Sequence, residues 1–241
     1  AFCEDNEPCQ RVLNKHWPEV KIYGDIKELT YEQLCADGVR PSVITGGFPC
    51  QDISTAGRGA GIVHGNRSSL WKEMLRLCRD VHPAWLIAEN VSALRSKGLT
   101  LVIQGLSEIG YVGEFHCIPA STGCGAPHQR DRIWIVAHPA GQRPQGQGEP
   151  VQSCHSAQII TRQTVESFNG RVSDFWKIEP PVGRVAPRLP GDVDRLKQLG
   201  NAVVPQIPQM IGEAIMEYEQ RSAGAGRDRT AGQPGGPACP S

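Results

Sequence analysis

Gly46-Gly47-Phe48-Pro49-Cys50-Gln51-Asp52-Ile53-Ser54 decides how the rest of this chain is read. Before it stands Ser42-Val43-Ile44-Thr45, a short β-rich run that reads as a buried strand. Two glycines end that strand and let the backbone turn sharply. Pro49 fixes the approach to Cys50 and biases Phe48 towards an extended conformation. The pattern predicts one cysteine presented at the carboxyl edge of a strand, where open α/β sheets place their chemistry. An isolated Pro-Cys is more often a small buried cysteine; the remainder of the chain reverses that balance.

Upstream, Phe2-Cys3-Glu4 reads as the end of a strand. Glu7-Pro8 opens a helix, because proline suits a first helical turn, and Trp17-Pro18 stops it. Val20-Lys21-Ile22-Tyr23 is the next strand, ending at Gly24-Asp25-Ile26. Two successive strand ends thus carry an acid, Glu4 and Asp25. Acids there suit ribose hydroxyls or an adenine amino group, although each alone reads equally as a turn cap.

Downstream, residues 51 to 67 form a loop of small residues with Gly57, Gly59, Gly61 and Gly65. A helix follows, with Leu70, Trp71, Met74, Leu75 and Cys78 on one face as core. Ala84-Trp85-Leu86-Ile87-Ala88 is a buried strand that ends in Glu89-Asn90-Val91. A carboxylate beside such an apolar run is expected to be partly desolvated and able to donate a proton; a turn or helix cap is the plain alternative. A helix from Leu99 to Ile109 closed by Gly110 and a strand from Tyr111 to Ile118 follow. Gln129-Arg130-Asp131-Arg132 then leads into the strand Ile133-Trp134-Ile135-Val136. Arg130 and Arg132, two apart, are expected on one face, where two guanidiniums suit a phosphate and a carbonyl-bearing base edge.

From Ala140 to Ser173 the chain is polar and without visible period, and reads as an irregular insert. Ile207, Met210, Ile211, Ala214, Ile215 and Tyr218 mark a final helix, and the Gly/Ala/Pro-rich end beyond Arg221 reads as disordered. The 27 glycines and 19 prolines announce long loops. With 25 basic and 25 acidic residues, any polyanion must be held by a local basic face. Nine cysteines without CxxC or Cys/His spacing argue against a disulfide framework and against a metal site, and favour a reducing compartment. No apolar run approaches a membrane span, so no membrane partner is expected.

Together, "GGFPCQDIS" at 46–54, "ENV" at 89–91, "QRDR" at 129–132 before "IWIVA", and "RLKQLGNAVVPQ" at 195–206 resemble the DNA (cytosine-5) methyltransferase family, with "GDI" at 24–26 and Glu4 as weaker matches. The resemblance implies an α/β, Rossmann-like S-adenosylmethionine-dependent methyltransferase fold, a mostly parallel sheet with helices on both faces. It implies S-adenosyl-L-methionine as methyl donor and a cytosine flipped out of double-stranded DNA as substrate. Cys50 is implied as the nucleophile, Glu89 as the group at ring nitrogen 3, and Arg132 with Arg130 as holders of the base oxygen and a phosphate. Glu4, Asp25, Pro49, Leu70, Asn201 and Val203 are implied to line the cofactor pocket. The loop residues Gln51, Ser54 and Arg58 are expected at the DNA. A monomer in the cytoplasm of a bacterial or phage-infected cell is expected.

Two departures qualify the resemblance. The family usually opens with a strand and a Phe-x-Gly-x-Gly loop around the methionine part of the cofactor, and the chain reads as starting just after it. His128 stands where the family usually has Gln before its two arginines. The expected organisation is a catalytic core over 1–139, a short irregular insert in place of a target-recognition region over 140–182, a return to the catalytic domain over 183–221, and a disordered tail over 222–241. The competing readings are a catalytically inactive DNA-binding relic lacking the glycine loop, and an unrelated thiol enzyme with His64 or His128 as base.

Overall fold

The computed structural model describes residues 1–49, 69–141, 159–172 and 202–225. Strands and helices alternate along the first stretch: β1 (Phe2–Cys3), α1 (Glu7–His16), β2 (Ile22–Tyr23), α2 (Tyr31–Ala36) and β3 (Val43–Gly47). Then come α3 (Ser69–Val81), β4 (Trp85–Val91), α4 (Leu94–Lys97), α5 (Leu99–Glu108), β5 (Tyr111–Pro119), α6 (Ala120–Cys124) and β6 (Asp131–Pro139). Two further helices are α7 (Arg162–Val172) and α8 (Gln206–Ala225). The described residues up to Cys117 and from Arg132 to Gly141 form one compact unit; those of 118–131, 159–172 and 202–225 form a second.

In the first unit β1 and β2 pair in parallel as a two-stranded sheet, Phe2 opposite Ile22 and Cys3 opposite Tyr23. The larger sheet has the order β3-β4-β6-β5. β3 runs parallel to β4, whereas β6 runs antiparallel to it. The sheet is therefore mixed beyond β4, an arrangement common in doubly wound folds that end on an antiparallel strand. β4 is buried on both faces from Trp85 to Ala88. Leu86 and Ala88 join Ile133, Ile135 and Ala137 of β6 in a core closed by Trp71, Met74 and Cys78 of α3 and Val102 and Leu106 of α5. A smaller cluster of Tyr23, Leu29, Leu34, Leu77 and Val81 seats the short β2 and α2 against α3.

Several expectations need correction. β3 is half-buried, not buried: Ile44 packs inward while Val43 and Thr45 are exposed, because β3 lies at the end of the described sheet. Glu89 and Asn90 lie inside β4, not in a turn or cap, since pairing with β3 and β6 continues through them. Helix α2 went unread although Thr30 caps it by accepting from Gln33 N at 3.2 Å, the Thr-x-x-Gln pattern of a capping box.

In the second unit, the supposedly irregular insert contains α7. Three apolar anchors, Ile159, Ile160 and Phe168, are too sparse to show a period, yet all are buried. The amide of Thr164 donates to the Thr161 hydroxyl at 3.1 Å at the start of α7. Asn169 Nδ2 donates to Thr122 O of α6, and Arg171 pairs with Glu213 of α8 at 2.7 Å. α8 runs on to Ala225, past the point where a disordered tail is expected, with its stripe from Ile207 to Ile215 buried. Residues 173–201 and 226–241, including the segment before Ala202, lie outside the described residues.

Among the described residues no group of three or more His, Cys, Asp or Glu side chains could hold a metal ion, and no helix is long and apolar enough to cross a membrane. Cys3, Cys9, Cys78, Cys117 and Cys124 are in no disulfide, whereas Cys35 is disulfide-bonded, which departs from the expectation of cysteines kept reduced throughout.

Candidate functional site

The site is built on the parallel pairing of β3 and β4. Their register ends with Gly47 opposite Glu89. Side chains alternate along a strand, so Glu89 shares a face with Val91, and across the antiparallel step these face Trp134 and Arg132. Glu89 and Arg132 are therefore diagonal neighbours on one face. The guanidinium reaches the carboxylate at 2.7 Å, with both side chains mostly covered at 16% and 18% exposed. A planar, permanently charged fork beside a carboxyl group is a well-ordered pair for the edge of a planar polar ring.

Gly47 makes room for this pair. A Cβ built there would stand 3.3 Å from Glu89 Oε2 and 3.7 Å from Glu89 O. Neither Gly46 nor Gly47 has a positive φ. The two glycines thus serve close approach within β3, not the sharp turn expected of them. Beyond Gly47, Phe48 is buried and its ring meets Trp71 of α3 at a centroid distance of 4.9 Å. Its carbonyl accepts from Asn90 Nδ2 at 2.8 Å. Pro49, the last described residue of this stretch, is exposed. Cys50, Gln51, Ser54 and Arg58 lie outside the described residues, as do His64 and Asn201.

The two arginines do not act as a pair on one strand face. β6 begins at Asp131, so Arg130 precedes it and falls in the second unit, whereas Arg132 falls in the first. Arg130 donates through Nη2 to the carbonyl of Ala202, which ties the Gln-Arg-Asp-Arg segment to the stretch before α8 within that unit. The neighbouring Val203 is exposed.

Glu4 and Asp25 stand just past the ends of the paired strands β1 and β2. Glu4 Oε1 accepts from Asn6 N at 2.9 Å, and Asp25 Oδ1 from Lys27 N at 2.9 Å. Both cap their own turns, and both bring carboxylate acceptors to the same edge, the acceptors to which a diol or an exocyclic amine donates. Between them, Cys3 Sγ donates to Gly24 O at 3.1 Å. Partial desolvation, then the charges of Asp25, Glu4 and Asp5, push the Cys3 thiol up to about 11. Leu70 is half-buried at the start of α3, consistent with its core reading. Cys78 is fully buried on α3 and burial pushes its thiol up to about 12, the profile of a packing cysteine.

Sequence reasoning missed Gly47 and Asn90 as parts of the site. Both signals were present: a Gly directly before the Phe-Pro-Cys stretch, and an amide directly after the candidate acid. Only the β3–β4 register shows that they belong to one cluster.

The described site is thus a carboxyl–guanidinium pair where the parallel β3–β4 pairing ends, in an α/β domain. The chain belongs to the C-5 cytosine-specific DNA methylase family, whose model matches residues 1–179. It is 34% identical over 144 residues to the Type II methyltransferase M2.BsuMI of Bacillus subtilis (strain 168), a match over 56% of this chain and 35% of that protein. It is 26% identical over 204 residues to the Type II methyltransferase M.AquIA of Picosynechococcus sp., a match over 78% of this chain and 79% of that protein. A crystal structure of Spodoptera frugiperda DNMT2 superposes on 58% of this chain and 42% of its own with a TM-score of 0.46 and 21% identity. The chain spans about a third of the length of M2.BsuMI and of the next two curated relatives it matches. The α/β, Rossmann-like fold expected from the resemblance is the fold of this family.

Proposed function

We propose that the chain takes part in transfer of a methyl group from S-adenosyl-L-methionine to carbon 5 of cytosine in double-stranded DNA. The carrying observation is the register that sets Gly47 opposite Glu89 with Arg132 on the carboxylate. Only Pro49 separates Phe48 from Cys50, and two chain steps span at most about 7 Å. The Glu89–Arg132 pair matches the needs of a cytosine edge. Nitrogen 3 and the adjacent carbonyl oxygen take a proton donor and a guanidinium side by side, and the exocyclic amine donates to the second carboxyl oxygen.

In this reading the Cys50 thiolate adds to carbon 6, forming a carbon–sulfur bond. Glu89 delivers a proton to nitrogen 3 as the ring electrons move, which leaves carbon 5 electron-rich. Arg132 holds the carbonyl oxygen. Arg130, through its bond to Ala202, holds the segment before α8 in place and has a positioning part here. S-adenosylmethionine, when bound, supplies an electrophilic methyl carbon on a sulfonium. Methyl transfer would leave the donor as S-adenosylhomocysteine; a base then removes the carbon 5 proton, the nitrogen 3 proton returns to Glu89 and the carbon–sulfur bond breaks, which frees the Cys50 thiolate.

Glu4 and Asp25 fit the ribose and adenine of that cofactor, since both carboxylates lie at one edge of a parallel pair. Pro49, Leu70, Asn201 and Val203 are proposed to complete its pocket, and Gln51, Ser54 and Arg58 to meet the DNA. A monomer acting in the cytoplasm of a bacterial or phage-infected cell is proposed with it, with the activity for which the relatives are named.

The test is label transfer from tritiated S-adenosylmethionine to duplex DNA by the chain and by Cys50→Ala. Transfer by the chain and its loss in the variant is expected; equal transfer by both overturns the role of Cys50. Calorimetric titration with S-adenosylhomocysteine separates this reading from a DNA-binding relic. Micromolar binding is expected here and none for the relic.

A further inference from the structure

We propose that Arg76 is a positioning residue for the cofactor: from α3 it holds the turn that presents Asp25 to the adenine. The proposal rests on the placement of the adenine at Asp25 given above. Residues 24–30 join β2 to α2 and belong to no strand or helix. Within them Asp25 makes only local bonds. Its Oδ1 accepts from Lys27 N at 2.9 Å, and its carbonyl accepts from Glu28 N at 3.0 Å. These bonds shape the turn but do not set its direction relative to the rest of the unit.

Arg76 supplies that direction. Its Nη2 donates to Ile26 O and to Leu29 O, each at 2.9 Å, across 50 and 47 positions of chain. The two carbonyls bracket Lys27 and Glu28, the residues whose amides bond to Asp25. Nε donates to Glu73 Oε2 at 2.6 Å, which sets the plane of the guanidinium. Nη1 lies 3.8 Å from Asp80 Oδ2 on the next turn of α3. In the sequence, Glu73, Arg76 and Asp80 have the i,i+3 and i,i+4 spacing of a solvated charge stripe on a helix. In the structure the guanidinium instead leaves the helix for main-chain oxygens. Leu29 is buried and Ile26 packs against both hydrophobic clusters, so apolar contacts seat the loop. Apolar contacts are non-directional, and the hydrogen bonds of a rigid fork are not. A lysine would keep the charge without that fork.

A tie between a helix and a loop is also simply structural, and selectivity for the adenine amine separates the two roles. Asp25 accepts from that amine, whereas S-inosylhomocysteine carries a carbonyl in its place and sets an acceptor against the carboxylate. Arg76→Lys keeps the charge. Arg76→Met keeps an unbranched stem and loses every donor. Val102→Ala, a core truncation on α5, gauges what lost stability alone does. Each protein is titrated by calorimetry with S-adenosylhomocysteine and with S-inosylhomocysteine. Amide hydrogen exchange at Lys27 and Glu28, and Tm, are measured beside it.

Wild type should bind S-adenosylhomocysteine about tenfold or more tightly than the inosine analogue. In R76K and R76M that preference should fall to about threefold or less, with exchange at Lys27 and Glu28 faster by about tenfold. V102A should keep the preference and the slow exchange at a comparable fall in Tm. Adding R76M to D25N should change the preference by less than about twofold, because Arg76 acts through Asp25. Wild-type preference in both Arg76 variants, or the same loss in V102A, overturns the proposal, as does unchanged exchange at Lys27 and Glu28. A wild type that does not tell the two ligands apart overturns the adenine placement itself, a failure read from the wild-type titrations and not from the variants.

Discussion

Glu89 on one side and Glu4 with Asp25 on the other are all carboxylates at strand ends, yet they are held in opposite ways. Glu89 is fixed by partners far away in sequence: Arg132 across the sheet and the close backbone of Gly47 on β3. Glu4 and Asp25 are fixed by the amides two residues on, in their own turns. A locally capped acid exists wherever its turn exists. An acid set by a register exists only when the sheet is assembled in that register. The first kind contributes acceptors to a pocket one at a time, whereas the second concentrates charge, shape and direction at one point. Substitutions should therefore act steeply at Glu89 and gently at the β1–β2 edge.

The largest effect is expected at Glu89 itself. Glu89→Gln keeps the shape but removes the group that gives a proton to ring nitrogen 3. Methyl transfer should fall by about 10²–10⁴, the range for a lost general acid or base. Arg132→Ala should fall comparably in activity and also destabilise the fold. Breaking a fully buried pair costs about 3–5 kcal/mol, and a pair with this exposure about 1–3 kcal/mol. Urea unfolding of R132A beside E89Q checks this: R132A leaves the Glu89 carboxylate and E89Q leaves the Arg132 guanidinium without its charged partner, so both should lose stability. An R132A as stable as wild type would break the contrast between register-held and locally held acids.

Next in size is Gly47→Ala. The added methyl meets Glu89 Oε2 at 3.3 Å, so the carboxylate must shift by a few tenths of an ångström. The expected loss is about tenfold in kcat with a stability cost of about 1 kcal/mol, mostly from crowding. A G47A variant with full activity would show that the position of the Glu89 carboxylate tolerates more than the geometry implies.

The same contrast explains what the sequence made legible. Glu4, Asp25, the helix over Glu7–His16 and the strand over Trp85–Val91 follow from local signals: a strand ending in an acid, a proline in a first turn, an unbroken apolar run. Gly47 and Asn90 could not be assigned that way, because their roles arise from residues about forty positions away. Arg130 and Arg132 show the limit most directly. Their spacing correctly marks a strand start, but the strand opens at Asp131, between them, and that sends the two guanidiniums to different partners. Helix α7 was hidden for a related reason, since a few anchors such as Phe168 gain their meaning only from burial against neighbouring helices.

At the β1–β2 edge smaller effects are expected. Glu4→Gln and Asp25→Asn should each leave the unfolding free energy within about 1 kcal/mol, the value of a single turn or cap bond. Each should weaken S-adenosylhomocysteine binding by about tenfold, as loss of one charge-assisted hydrogen bond does. Calorimetry on the two variants reads this directly. Unchanged affinity in both would remove these acids from the cofactor pocket while leaving Glu89 untouched.

The smallest effect uses Cys3 as a reporter of that edge. Its thiol sits between the acids, and partial desolvation together with Asp25, Glu4 and Asp5 raises it to about 11. The protonated form is thus favoured in the folded protein relative to the unfolded chain. The contribution of Cys3 to stability is complete below the ordinary thiol value of 9.0 and is lost as pH rises through about 11. Alkylation of Cys3 in the native protein should accordingly show a midpoint near 11. Asp25→Asn should move that midpoint down only modestly, because desolvation is the larger cause. Saturating S-adenosylhomocysteine should slow the alkylation, since a ribose and adenine held by Glu4 and Asp25 cover the thiol between them. A Cys3 rate indifferent to the ligand, measured where calorimetry shows binding, would mean that the cofactor is held elsewhere and that the two acids are only turn caps.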